Sequence, residues 1–293
     1  MILDIPNNRS SHTIPTPRGG GLAIIISFYI GIIFLSNIID TNLLLALFSS
    51  IPIVIVGIID DMVTLSSKIR IVVQGFSAIL GLYFLGGVHS IDFIFFEING
   101  SWVNILAFIS IIWIINLYNF LDGIDGYAGS EAVFIGVSIF ILFNNPLGLI
   151  IAVSTLGFLF FNWDKASIFM GDVGSTTIGF IFAILIFWDT SEGNIYIWLV
   201  LLSLFWFDAT YTIIRRYING EKITEAHNKH LFQRLVQSGW SHQRVVINSI
   251  IINIIFLIAL YYLNHILVFI INIIFMALII YLINKKRDFN AST

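Results

Sequence analysis

About ten apolar runs, each close to the length of a bilayer-spanning helix, take up most of this 293-residue chain. They read as roughly 20–39, 43–59, 70–87, 103–121, 127–144, 147–162, 176–190, 195–214, 245–263 and 266–284, near the 17–25 apolar residues a helix needs to cross hydrocarbon. With 58% hydrophobic and 11% charged residues, the chain is too apolar for a soluble domain. The expected fold class is an all-α polytopic membrane protein of about ten transmembrane helices. A single integral membrane domain spans 1–293, without repeats or a soluble appendage.

Charge orders these runs. All 14 Lys and Arg residues, from Arg9 and Arg18 to Lys285, Lys286 and Arg287, fall in polar gaps that can share one face. The other face receives only Asp40, Asp92, Glu97, Asp189 and Glu192. Excess Lys and Arg mark cytoplasmic loops, so the basic face is read as cytoplasmic. Ten being even, both termini are expected there. No cleavable signal is visible, because the first apolar run follows Arg9 and Arg18 and continues past signal-peptide length. The absence of cysteine excludes thiolate metal sites and disulfides.

Outside the basic face, residues 88–102 read as two short strands around an Asn99-Gly100 turn, an external β-hairpin without chemistry. Asn248, Asn253 and Asn272 inside apolar runs read as compositional drift in preference to polar contacts.

Polar clusters gather at helix ends on the basic face, where ionisable groups of a membrane protein suggest a site. Asp60 and Asp61 end the second run, with Lys68 and Arg70 following. Adjacent carboxylates suit a general base or a cation neighbour, or simply a solvated helix end. Asn116 and Asn119 share a helical face, and Gly123 and Gly126 then present Asp122 and Asp125. That set suits a hard cation or a polar base and ribose; a capping turn would use Asp125 alone.

Between 162 and 175, Gly171 and Gly174 flank Asp172 at a helix start, where free N–H groups favour phosphate. An acid there opposes the phosphate unless a metal intervenes, so Asp172 reads as a metal ligand. Phe169 reads either as a base-stacking ring or as a loop anchor. His227, His230 and Arg234 fall at i, i+3 and i+7, one face of a short helix that suits a pyrophosphate. Zinc and a basic lipid-facing helix are the alternatives. The polar stretch 7–21 is either a flexible basic loop or part of a phosphate site.

Together the segments resemble the polyprenyl-phosphate N-acetylhexosamine-1-phosphate transferases, glycosyltransferase family 4. RSSHTIPTPRGGG at 9–21, GIIDD at 57–61, NLYNFLDGIDG at 116–126, FMGDVGS at 169–175 and HNKHLFQRL at 227–235 carry the resemblance in order. It implies cytoplasmic active-site loops and Mg²⁺ (Mn²⁺ as substitute) held by Asp172 and Asn119. Asp60 and Asp61 would be the catalytic carboxylates, either one the base. Asp122, Asp125, Asn162 and Phe169 would receive the uridine end of a UDP-HexNAc donor. His227, His230 and Arg234 would contact phosphates, assisted by Lys68, Arg70, Arg9 and His12.

The implied reaction is attack of a polyprenyl (undecaprenyl) phosphate oxygen on the donor's β-phosphorus with release of UMP. It would take place in a bacterial inner membrane and start a lipid-linked surface glycan. The RSSH…PTPRGGG form leans toward O-antigen-type initiators, part of lipopolysaccharide and cell-wall biogenesis. The implied partners are donor, acceptor and bilayer, not nucleic acid, with a homodimer left open. Family members usually begin with a further transmembrane helix ahead of the RSSH-like loop, where this sequence has eight residues. They also often carry Arg where Asn228 stands, beside Lys229.

The rival class, a polytopic membrane transporter, needs polar residues near the midplane. Asp208 is its best argument, and a buried link to the site is the other reading of that residue. An intramembrane aspartyl protease lacks the flanking Gly and Tyr that its paired acids would need at Asp172 and Asp208.

Overall fold

The structure, a computed structural model, describes residues 3–6, 14–189, 194–222, 225 and 227–291. Arg9 and His12 lie outside the described residues. Helices follow the apolar runs: α1 (Gly20–Phe34), α2 (Thr41–Phe48), α3 (Ile51–Val63), α4 (Ser67–Phe84), α5 (Val103–Phe120), α6 (Tyr127–Phe143) and α7 (Pro146–Asn162). They continue as α8 (Gly171–Trp188), α9 (Ile195–Leu201), α10 (Ser203–Ile218), α11 (Leu231–Gln237), α12 (His242–Tyr262) and α13 (His265–Lys286). Among the described residues, two-stranded pairings are confined to β1 (Leu3–Asp4) with β2 (Thr16–Pro17), and β3 (Ser90–Asp92) with β4 (Glu97–Asn99).

Five segments are long and apolar enough to cross a membrane singly: Thr41–Val63, α5, α8, α12 and α13. The bent pair α9–α10 makes a sixth when counted as one span. The protein is a mostly helical membrane protein. The run expected at 195–214 is not one rod, because α9 and α10 meet at 74°. No Pro or Gly lies between Ile195 and Ile218 to announce that bend. The Trp206 indole instead donates to the Leu199 carbonyl across the break at 2.8 Å, satisfying an acceptor that the lost helical turn frees.

Helix α8 is the axis of the bundle. Buried residues make up 83% of its apolar window, against 22% for α13, and α1, α3 and α5 pack around it. Glycines set that approach. A Cβ on Gly21 would lie 2.3 Å from the Gly174 Cα, and one on Gly57 2.6 Å from the Val173 Cα. Without a hydrophobic drive between helices in lipid, such close backbone contact is what associates them. It is tightest at the first turn of α8, where the polar motifs lie.

Two expectations need correction. The hairpin turn is at Phe93–Phe96, not Asn99-Gly100: Phe93 N–H donates to the Phe96 carbonyl at 2.9 Å, and Ile91 pairs with Ile98. Centring the turn on Asn99-Gly100 would pull Val103 and the residues after it into a strand, but they begin α5. Nor are all the in-helix asparagines drift. Asn253 donates to both Glu131 oxygens at 2.8 Å, and Asn272 to Ser203 Oγ at 3.1 Å. These are interhelical polar contacts of the kind that hold apolar helices in register. Asn248 bonds within its own helix, to the Arg244 carbonyl.

Candidate active site

The site is built on the N-terminus of α8. This helix opens on Gly171 at φ 75 with no side-chain cap from its own loop, so its first N–H groups need acceptors. Asp61, from the end of α3, supplies them. Its Oδ1 accepts from Asp172 N–H at 2.9 Å and its Oδ2 from Val173 N–H at 3.4 Å. A side chain at Gly171 would occupy the same space, its Cβ 2.5 Å from Asp61 Oδ2.

Asp60 faces α4. Its Oδ1 accepts from Leu65 N–H, and Arg70 Nη1 lies 3.4 Å from its Oδ2. The same Arg70 nitrogen is 2.6 Å from Asp172 Oδ2, so one guanidinium bridges two carboxylates. Asn119, at the end of α5, donates to Asp172 Oδ1 at 3.0 Å and to Ser175 Oγ at 2.9 Å. Asn116 is used differently, tying α5 to α4 through Gln74 at 2.7 Å.

Above this cluster opens a polar cavity of about 250 Å³, lined by Asn119, Asp122, Asp125, Asn162, Phe169 and Asp172 together with Asp4, Arg18, Gln233 and His242. It shares Asp125, Phe169 and His242 with a second hollow of about 380 Å³ that runs past Pro15 and Lys165. The two form one groove. Asn162 lines it but has spent its amide, accepting from Gly126 N–H and donating to the Ile168 carbonyl, each at 2.9 Å. It joins two site loops. Phe169 is anchored by its backbone to Pro17 and Gly20 and lines both hollows.

Asp122 is the most perturbed acid of the loops. Burial first, then the negative charges of Asp172 and Asp61, push its carboxyl up to about 7. A raised acid keeps its proton in the fold after the unfolded chain has released it, so the stability it contributes is present below about pH 4 and lost as pH rises through 7. Asp122→Asn mimics the protonated form. Its melting temperature relative to wild type is therefore expected to be higher at pH 8 than at pH 5, measured by thermal unfolding in detergent. An equal difference at the two values would show that Asp122 titrates normally.

The third cluster departs from its sequence reading. Only from Leu231 is the segment helical, so His227 precedes the helix that was to align it with His230 and Arg234. His230 caps α11, and its Nδ1 lies 3.0 Å from Asp208 Oδ1. Asp208 also accepts from Leu231 N–H at 2.9 Å and Thr212 Oγ1 at 3.1 Å. Asp208 is thus a buried link from α10 to the His loop, which removes the transporter argument built on it. His227 packs on His230 at 4.8 Å between ring centres. Burial first, then His230 and Arg216, pull its imidazole down to about 3. Arg234 points away, donating to the Arg287 carbonyl and lying 5.5 Å from the Phe289 ring centre.

None of these three lines the groove; Gln233, from the same helix, does. Lys68 is exposed and lines neither hollow. The residues missed in sequence are Gln233, His242, Ser175 and Arg18, the last paired with Asp4 at 2.9 Å. His242 is 3.3 Å from Asp125 Oδ2, and in sequence it stands just ahead of the apolar run at 245–263 with no motif around it. Arg18, Ser175 and Gln233 each lie in a motif that carries the resemblance (PTPRGGG, FMGDVGS and HNKHLFQRL), whereas His242 lies in none.

The family model described as glycosyl transferase family 4 matches residues 43–189, the stretch that holds Asp60, Asp61, Asn119, Asp122, Asp125, Asn162, Phe169 and Asp172. A probable undecaprenyl-phosphate N-acetylglucosaminyl 1-phosphate transferase of Bacillus subtilis (strain 168) is 32% identical over 274 residues, covering 87% of this chain and 75% of that protein. A decaprenyl-phosphate N-acetylglucosaminephosphotransferase of Mycobacterium tuberculosis (strain ATCC 25618 / H37Rv) is 29% identical over 289 residues, covering 83% and 70%. An undecaprenyl-phosphate alpha-N-acetylglucosaminyl 1-phosphate transferase of Escherichia coli (strain K12) is 28% identical over 276 residues, covering 84% and 72%. A family model over half of the chain and a relative 32% identical over 87% of it place the chain in glycosyl transferase family 4.

Proposed function

We propose that this chain transfers a HexNAc-1-phosphate from a UDP-sugar to a polyprenyl phosphate in a bacterial inner membrane, with the groove on the cytoplasmic side. One observation carries the reading. Asp172 lines both the polar groove and a narrow cleft between α3 and α4, walled by Ile53, Val56 and Val73 and ending at Asp60 and Arg70. A soluble donor suits the groove; the cleft, at about 10 Å³, has no room for a phosphate as it stands, and it marks the side of Asp172 that faces Asp60 and Arg70, from which a lipid-borne phosphate would approach.

The donor set at that point fits Mg²⁺ or Mn²⁺. In this structure Arg70 holds one Asp172 oxygen and the Asn119 NH₂ the other, so the ion would displace Arg70 and turn the amide over, leaving Asp172 and the Asn119 amide oxygen as its two hard ligands. That suits an ion which takes one or two protein ligands and completes its shell with water and substrate phosphates. Bound by Asp172 and Asn119, it would neutralise charge on the diphosphate as the leaving phosphate forms.

The remaining steps belong to the chain. Arg70 draws the acceptor phosphate toward Asp60 and offsets its repulsion from the donor. Asp60 takes the proton of a monoprotonated acceptor, whose second pKa is near 6. Asp61, with both oxygens held by α8 amides, keeps the helix end in place. The acceptor oxygen bonds to the β-phosphorus, the bond to UMP breaks, and a polyprenyl-diphospho-sugar remains. Phe169, Asp122 and Asp125 receive the nucleoside, with His242 steadying Asp125.

The test is to incubate membranes containing the chain with undecaprenyl phosphate, Mg²⁺ and a panel of UDP-HexNAc donors labelled in the sugar. Butanol-extractable label and stoichiometric UMP are expected with at least one donor. Label that stays aqueous with every donor, in membranes where the chain is folded, would overturn the proposal.

A further inference from the structure

One strongly apolar cavity plays no part in the chemistry above. It lies between α10, α12 and α13, closed at one end by α11, and holds about 280 Å³. Its walls are formed by Leu204, Leu231, Val245, Ile252, Met276 and Ile283. Along α13 it runs from Lys286 to Met276, about 15 Å at the helical rise of ~1.5 Å per residue. That is half of the ~30 Å hydrocarbon core, the depth of one lipid leaflet. Asn248 and the 53%-exposed Leu282 form its rim.

The mouth is cationic. Trp240 carries Arg244 at 4.2 Å and Lys286 at 4.7 Å from its ring centre. Neither cation has a carboxylate partner among the described residues. A tryptophan with two uncompensated cations at the end of an apolar slot one leaflet deep matches a lipid with a negative head group.

We infer that this slot is a binding site for an anionic membrane phospholipid, one acyl chain between α12 and α13 and the head-group phosphate on Arg244 and Lys286. The acceptor is the less suitable occupant, because its phosphate has to reach Asp60 and Arg70. Those residues lie on α3 and α4, which pack on each other and on α8, whereas α12 and α13 pack chiefly on α6, α9, α10 and α11. The bound chain has a structural consequence. Phe232 lines the slot, and its ring edge would be 2.9 Å from a Cβ on Gly123. Filling the slot therefore holds α11 against the loop that carries Asp122 and Asp125.

Binding is read without turnover, so the inference can fail while the transferase reading stands, and the reverse. Delipidated full-length protein in a neutral detergent is titrated with phosphatidylglycerol, phosphatidylcholine or undecaprenyl phosphate, following melting temperature and bound lipid by native mass spectrometry. Phosphatidylglycerol is expected to raise the melting temperature by several degrees more than phosphatidylcholine and to be retained as one copy per chain. The double variant Arg244→Ala/Lys286→Ala should reduce that gain to the phosphatidylcholine level. Because both residues are exposed, the variant keeps its fold. Ser249→Phe, which fills the slot, should abolish retention. Equal shifts with the two phospholipids, or no effect of the double variant, would overturn the site. One-for-one displacement of phosphatidylglycerol by undecaprenyl phosphate would overturn the phospholipid assignment and make the slot the acceptor's.

Discussion

Asp172→Asn is expected to lower the turnover rate by roughly 10²–10³-fold, the scale set by removing one electrostatic contact to a developing charge in a preorganised site, while leaving the melting temperature within a degree or two. The two effects separate because Asp172 serves the fold and the chemistry with different atoms. Its backbone N–H receives the Asp61 cap at 2.9 Å, and that donor survives the substitution. Its side chain faces Asn119 at 3.0 Å and Arg70 at 2.6 Å. An amide keeps the shape but loses the charge, and its NH₂ group meets the NH₂ of Asn119 unless one of them turns over. The measurement pairs transfer of labelled sugar phosphate with thermal unfolding of the same preparation. Activity within about fivefold of wild type would remove Asp172 from its place at the junction of groove and cleft.

The parts of the site legible in sequence are those where polar residues break an apolar pattern. Asp60, Asp61, Asn119, Asp122 and Asp172 each stand at a helix end, where an acid or amide is costly without a purpose, and the fold brings all five around the start of α8. The one-face reading of the His loop fails for a physical reason. Spacing of i, i+3, i+7 presumes a helix already formed, yet α11 starts only at Leu231, with His230 N–H held by Gln233 Oε1 at 3.2 Å. The cap turns Gln233 to the groove and Arg234 to the C-terminal segment.

His242 was unreadable because its partner Asp125 is 117 residues away, and no local pattern links them. Asn253 was discounted among many asparagines; its worth depends on Glu131, 122 residues distant. The bend between α9 and α10 has no breaker residue, so hydropathy reads the two helices as one run.

Gly57→Ala tests whether the approach of α3 to α8 sets the chemistry. The added Cβ would stand 2.6 Å from the Val173 Cα and 2.8 Å from the Val173 nitrogen. These are backbone atoms of the most buried helix, so no side-chain rotation relieves the contact and α3 itself has to move outward. The first bond to fail is the Val173 N–H to Asp61 contact, already 3.4 Å long. The Asp60 carboxylate, carried on the same helix, then shifts relative to Asp172 and Arg70. A misplacement of about 1 Å at a reacting centre costs on the order of 10²-fold in rate, and overpacking typically costs about 1–3 kcal/mol of stability. Both effects are therefore expected from one methyl group that touches no substrate.

Gly157→Ala on α7 is the control. Nothing lies within 4 Å of its Cβ, and a mid-helix Gly-to-Ala change stabilises by about 0.5–1 kcal/mol. Turnover and melting temperature measured side by side for the two variants decide the matter. If Gly57→Ala retains full turnover, the distance between α3 and α8 is not what positions the carboxylates, and the register of Asp60 and Asp61 has to come from their own bonds to Leu65, Arg70 and the amides of α8.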